Sequence, residues 1–193
     1  MNLPNKLTLM RIVLVPVFML CIYLAFPFHY TAALLVFAAA SVTDALDGKI
    51  ARKYNLITTF GKFADPLADK ILVLAAFAAM ADLPEVGGIA IPVNGIVITI
   101  IAAREFMVSG LRLVTAEKGV VVAAGIWGKL KTAFTMVTQV VILLWMAVTE
   151  FVSVSGSGAV YWIFFILVWI SVLLTIISGG VYLKGYAKYI ETK

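Results

Sequence analysis

Long apolar runs recur along almost the whole chain and constrain its fold more than any other feature. An α-helix needs about 20 mostly apolar residues to cross a bilayer. Six stretches have roughly this length and character, at 7–24, 31–52, 66–81, 89–113, 129–148 and 159–183. Of the 193 residues, 63% are apolar and 13% are charged, whereas soluble domains average about 45–50% and about 25%. We therefore predict an all-α, polytopic membrane protein with six transmembrane helices.

The positive charges fall on one side of the membrane if the six spans alternate in direction. All 15 lysines and arginines then lie on one side, and the loops of the other side carry Asp82, Glu85 and Glu150 instead. The positive-inside rule makes the basic side cytoplasmic, with both termini there. We expect one membrane domain over residues 1–193, in which residues 1–6 form a short interfacial helix ahead of the first span.

The composition also excludes some kinds of site. The chain has one cysteine, Cys21, so an internal disulfide is impossible. It has one histidine, His29, so we do not expect a histidine-based catalytic site. The basic residues suit membrane topology, lipid head groups and an anionic substrate, and no nucleic-acid partner is expected.

Four aspartates between residues 43 and 70 are the most informative polar feature. Asp44 and Asp47 are three residues apart and share one face of the second helix, while Asp65 and Asp69 are four apart and share one face of the third. Crowded carboxylates repel one another unless a cation neutralises them. Mg²⁺ and Mn²⁺ prefer oxygen ligands. Four carboxylates suit two such ions about 4 Å apart, an arrangement used for displacement at phosphorus.

Two points remain open from the residues alone. Pro66 allows either a third helix that begins at Pro66, with Asp65 as its cap, or a helix that begins near Thr59 and bends. Acidic residues in spans are also typical of cation transporters. A transport path would cross the membrane, however, and these four acids all lie at one end of their helices. Besides an enzyme and a transporter, the third alternative is a non-catalytic membrane scaffold.

The residues around the aspartates follow the pattern D-x-x-D-G-x-x-A-R, eight residues, then G-x-x-x-D-x-x-x-D. Every fixed position is present, as Asp44, Asp47, Gly48, Ala51, Arg52, Gly61, Asp65 and Asp69. This segment resembles the signature of the CDP-alcohol phosphatidyltransferase family. The resemblance implies that the four aspartates bind two divalent cations, Mg²⁺ or Mn²⁺, and that Asp69 is also the catalytic base. It implies that the CDP-lipid is held by Asn5, Thr8, Gly48, Ala51, Arg52, Thr58 and Gly61.

Three further segments resemble one branch of that family, the phosphatidylglycerophosphate synthases. They are the start of the chain from Pro4 to Arg11, an A-R-E and S-x-L-R pair over 103–112, and G-K-x-K-T over 128–132. This branch implies CDP-diacylglycerol as donor, glycerol 3-phosphate as acceptor, a homodimer, and a bacterial plasma membrane with a cytoplasmic active site. Related enzymes that use inositol phosphate, serine or phosphatidylglycerol remain alternatives.

The basic residues of these segments suit an acceptor that carries a phosphate. Arg104 and Arg112 are eight apart, on one stripe of the fourth helix, and Lys129 and Lys131 open the fifth. We assign these four to the acceptor phosphate. Arg104 lies in an apolar span and needs an anionic partner. Glu105 points about 100° away on an ideal helix, so we expect it to be a poor one.

Overall fold

Helices make up nearly all of the chain that the computed structural model describes. The backbone is described for residues 3–53, 59–83, 85–117, 125–152 and 156–190, and the side chains for the same ranges without residues 3–4, 45–66, 116–117 and 187–190. The helices are α1 (Leu3–Tyr23), α2 (His29–Lys53), α3 (Thr59–Asp82), α4 (Gly95–Glu117), α5 (Ile126–Phe151) and α6 (Gly158–Ile190). The all-α prediction is confirmed for these residues.

Three of the helices are long and apolar enough to cross a membrane, judged on the described residues. They are α1 over 5–23, α5 over 126–151 and α6 over 158–186. The apolar face of α4 is interrupted by Arg104, Glu105 and Arg112, which are costly in a bilayer unless they are paired. The six-span layout and the cytoplasmic position of the termini stay predictions.

The inward stripe of α1 changes character along its length. The stripe is polar in the first half and apolar in the second, as Asn5, Thr8, Arg11, Val15, Phe18 and Ile22 are all buried. The helix runs without a break from Leu3 to Tyr23, so residues 3–6 are continuous with the rest of it. The interfacial position of residues 1–6 stays a prediction.

The starts of α3 and α4, the helices that flank the third connection, decide one open point and correct one expectation. α3 begins at Thr59 and continues through Pro66, which is the longer of the two alternatives. α4 begins at Gly95 and not at residue 89. The segment before it contains a tight turn between Val86 and Ile89, and both glycines of the turn have positive φ angles. Asn94 Oδ1 then accepts a hydrogen bond from the Val97 N–H at 3.1 Å and caps the helix.

The apolar core occupies the end of the bundle away from the aspartates. All six helices contribute to it, through residues such as Phe18, Phe37, Phe77, Ile101, Met146 and Val168. One polar contact crosses this core, in which Gln139 Nε2 donates to the Val73 carbonyl oxygen at 2.8 Å. The core fixes the angle between the helices and hence the position of their polar ends.

At the opposite end from the aspartates, a carboxylate of α5 caps α2. Glu150 accepts hydrogen bonds from the Tyr30 N–H at 2.7 Å, the Thr31 N–H at 2.8 Å and the Thr31 hydroxyl at 2.7 Å. The first N–H groups of a helix lack partners within it, and a carboxylate there also interacts favourably with the helix dipole. Glu150 thus ties the start of α2 to the end of α5.

We predict that Glu150→Ala lowers stability by about 1–2 kcal/mol, because it leaves the start of α2 uncapped. The thermal unfolding midpoint of the purified protein in detergent measures this. Glu85→Ala, at an exposed acid in the connection between α3 and α4, is the control and should leave the midpoint unchanged. Equal midpoints for the two variants would contradict the capping role.

Candidate active site

An ion pair links α1 to the aspartate end of α2. Arg11 Nη1 lies 2.5 Å from Asp44 Oδ1, and the Arg11 side chain is fully buried while that of Asp44 is 44% exposed. Thr8 and Asn5 are buried on the same face of α1, about one and two turns before Arg11 respectively. The polar half of the α1 stripe therefore faces the region where the CDP-lipid is expected.

The aspartates are only partly described. The side chains of Asp47 and Asp65 lie outside the described residues, as do those of the expected lipid-binding set Gly48, Ala51, Arg52, Thr58 and Gly61. Asp44 and Asp69 are described, on α2 and α3, and their charges interact electrostatically. Two carboxylates whose charges repel each other across neighbouring helices are of the type that a hard divalent cation binds and neutralises. Within the described side chains, no group of three or more acids, histidines or cysteines forms a metal site.

A polar cavity of about 490 Å³ lies beside Asp69. It opens between α3, α4, α5 and α6. Arg104, Arg112 and Lys129, three of the four residues predicted for the acceptor phosphate, line it together with Asp69 and Lys70. The structure thus brings the predicted base and most of the predicted phosphate-binding residues to one cavity.

Arg104 is anchored more firmly than the sequence suggested. Its Nη1 lies 3.3 Å from Glu105 Oε1, and its Nη2 donates to Ser178 Oγ of α6 at 2.5 Å. The expectation that Glu105 would be a poor partner was therefore wrong. An arginine side chain is long enough to curve around the helix surface, so an angle measured at the helix axis does not decide whether the two groups meet.

Lys131 does not line the larger cavity. The residue is buried, at 3% exposure, and its Nζ pairs with Glu105 Oε1. It lines a smaller neighbouring cavity with Asp69 and Thr135. Direct contact of Lys131 with an acceptor phosphate stays a prediction, and the structure gives this residue a partner inside the protein.

Sequence reasoning missed the contribution of α6. Tyr182 lines the larger cavity, accepts a hydrogen bond from Arg112 Nη2 at 2.6 Å, and has both arginines over its ring. Ser178 lies one turn earlier on the same helix face. One signal in the sequence could have indicated this contribution, namely a serine and a tyrosine four residues apart in a strongly apolar helix.

The sequence profile of the CDP-alcohol phosphatidyltransferases matches residues 1–177. The chain belongs to this family. Among curated relatives of this phosphatidyltransferase, a Bacillus subtilis protein is 40% identical over 99% of the chain and 98% of its own length. A Rickettsia bellii protein is 39% identical over 97% of each chain, and an Escherichia coli protein is 39% identical over 75% of this chain and 76% of its own. All three are named CDP-diacylglycerol–glycerol-3-phosphate 3-phosphatidyltransferase.

The two lysines at the start of α5 in this phosphatidyltransferase should behave differently when substituted. Lys131→Met leaves the buried Glu105 carboxylate with Arg104 alone, so we predict a loss of about 1–3 kcal/mol of stability. The exposed Lys129 is the matched control, and Lys129→Met should leave stability unchanged. Thermal unfolding followed by the fluorescence of the four tryptophans measures both. If Lys131→Met and Lys129→Met had equal unfolding midpoints, the pair of Lys131 with Glu105 would contribute nothing to stability.

Proposed function

We propose that this chain transfers the phosphatidyl group of CDP-diacylglycerol to glycerol 3-phosphate, producing phosphatidylglycerol phosphate and CMP. The observation that carries the proposal is the shared cavity, where Asp69 lies beside Arg104, Arg112 and Lys129. The family supplies the reaction class, and the names of the relatives that cover nearly the whole chain support the choice of donor and acceptor.

The charges of the cavity favour a phosphorylated acceptor. Arg104, Arg112 and Lys129 line it, and Glu105, which also lines it, is already paired with Arg104 and Lys131. A phosphate monoester carries up to two negative charges and accepts several hydrogen bonds, so it complements guanidinium and ammonium groups. Serine offers a single carboxylate beside its own ammonium group, and a neutral polyol has no anionic group, so neither matches three basic side chains as well.

Asp69, which lines the cavity, is the base in the proposed reaction. Its carboxylate would take the proton from the primary hydroxyl of glycerol 3-phosphate. The alcohol oxygen then bonds to the lipid-side phosphorus of CDP-diacylglycerol, the bond from that phosphorus to the CMP oxygen breaks, and CMP leaves. Holding both substrates in line accounts for much of the rate in such transfers.

Asp44, Asp47, Asp65 and Asp69 would hold two divalent cations, Mg²⁺ or Mn²⁺. When bound, these ions would neutralise the pyrophosphate oxygens of the donor. Arg11 would keep Asp44 oriented, since it pairs with one oxygen of that carboxylate. The buried Asn5 and Thr8 would contact the donor on the same side.

The proposed reaction takes place at the cytoplasmic face of the bacterial plasma membrane. We infer six spans, with both termini and all the basic residues on that side. The acyl chains of the donor stay in the bilayer, and its nucleotide reaches the cavity from the cytoplasm. We also infer a homodimer, on the basis of the family resemblance.

The decisive experiment measures CMP release by the detergent-purified protein from CDP-diacylglycerol and Mg²⁺ with a panel of acceptors. We expect release with glycerol 3-phosphate, and little with serine, inositol phosphate or phosphatidylglycerol. Release with another acceptor instead would assign the chain to a sister activity. Cation flux into liposomes without CDP-lipid, together with no CMP release, would favour a transporter.

Asp69→Asn should reduce CMP release by at least roughly 100-fold, because an amide cannot accept the proton. The protein should stay folded and should still be stabilised thermally by CDP-diacylglycerol. Asp82→Asn, at the exposed far end of the same helix, is the matched control and should keep its activity. Near-wild-type release by the Asp69 variant would refute its role as base.

A further inference from the structure

Tyr182 of α6 contacts both arginines of α4. Arg112 Nη2 donates to its hydroxyl oxygen at 2.6 Å. The guanidinium carbons of Arg104 and Arg112 lie 5.4 and 5.1 Å from the centre of its ring. The residue is 5% exposed, so these contacts form at the wall of the cavity and not on an open surface.

The ring of Tyr182 is itself held in place. It stacks on Tyr186 with ring centres 6.2 Å apart and planes 16° apart, and it packs with Val108 in a small buried cluster. On its other side, a Cβ added at Gly128 of α5 would lie only 3.1 Å from the Tyr182 hydroxyl oxygen. The tyrosine therefore has little room to move, and it presents a fixed surface to the arginines.

Two guanidinium groups that share one cavity repel each other, and free arginine side chains would separate. An aromatic ring attracts a cation over its face, and here one ring attracts both. Ser178 fixes Arg104 further through its hydrogen bond at 2.5 Å. A Cβ added at Gly179 would lie 3.2 Å from Arg104 Cγ, so α6 also packs tightly against the stem of this side chain.

We propose that Tyr182 is a positioning residue that holds Arg104 and Arg112 together as one clamp for the phosphate monoester of the acceptor. This inference rests on the proposed function and deepens it. The ring keeps both guanidinium groups in place before the acceptor arrives, so less ordering is left to the binding step. The hydroxyl takes one donor of Arg112 and directs the remaining donors toward the cavity.

Substitution of Tyr182 should change the KM for one substrate only, glycerol 3-phosphate. Tyr182→Phe keeps the ring and removes the hydroxyl, and it should raise the KM for glycerol 3-phosphate roughly tenfold. The kcat and the KM for CDP-diacylglycerol should stay within about twofold. Tyr182→Leu removes the ring as well and should raise the same KM further. A merely structural role would instead move stability and both KM values together.

Tyr186→Phe is the matched control. It removes a hydroxyl from the same helix one turn later, and the Tyr186 hydroxyl is buried with no hydrogen-bond partner among the described residues. This variant should match the wild type in both KM values. Combining Tyr182→Phe with Arg112→Met tests whether Tyr182 acts through Arg112. If it does, the KM of the double variant for glycerol 3-phosphate should be little higher than that of Arg112→Met alone.

The measurements separate this inference from the proposed function. An unchanged KM for glycerol 3-phosphate in Tyr182→Phe, beside an active wild type, overturns the clamp and leaves the function standing. A wild type without activity on glycerol 3-phosphate overturns the function. In that case the clamp is tested by the rise in unfolding temperature that inorganic phosphate causes. The clamp requires such a rise in the wild type and a smaller rise in Tyr182→Phe.

Discussion

The polar end of the bundle depends on the ion pairs that the Glu105 carboxylate forms with two basic side chains, Arg104 and Lys131. Glu105 and Arg104 lie on α4, and Lys131 reaches the same carboxylate oxygen from α5. Arg104 is bonded in turn to Ser178 of α6. Charges brought into apolar surroundings are tolerated only when they are paired and hydrogen-bonded. This one carboxylate therefore lets α4 and α5 bring Arg104 and Lys131 together without leaving either charge unpaired, and Ser178 joins α6 to the same group.

The bundle separates its tasks along its length. Large apolar side chains such as Phe37 and Phe77 fill one end, while Arg11, Asp44 and Asp69 mark the other. The inward stripe of α1 shows the change within one helix, from buried polar residues to Val15, Phe18 and Ile22. A densely packed end has few alternative arrangements, so it can hold the polar end in a defined geometry even though like charges there repel.

Local spacing predicted the parts of this structure that depend on one helix at a time. The apolar runs predicted six helices, and the described residues form six. The shared faces expected from the intervals between Asp44, Asp47, Asp65 and Asp69 stay a prediction, because the side chains of Asp47 and Asp65 lie outside the described residues. Contacts between distant segments were harder, because no periodicity encodes them. The spacing of α4 did not show that the Arg104 side chain would curve around the helix to reach Glu105. No residue near Arg112 in the sequence indicated its contact with Tyr182, 70 residues away. The start of α3 at Thr59 was one of two possibilities that Pro66 left open.

The length of α6 has a consequence for how the substrates meet. Its 33 residues extend about 50 Å at about 1.5 Å per residue, whereas the hydrocarbon core is about 30 Å thick. In the proposed membrane arrangement, a helix that enters the bilayer near Gly158 emerges before it ends, which would bring its final third, with Tyr182, to the level of the phospholipid head groups. A water-soluble metabolite and a lipid that never leaves its leaflet can then react at the boundary between their two phases, and neither has to dissolve in the other.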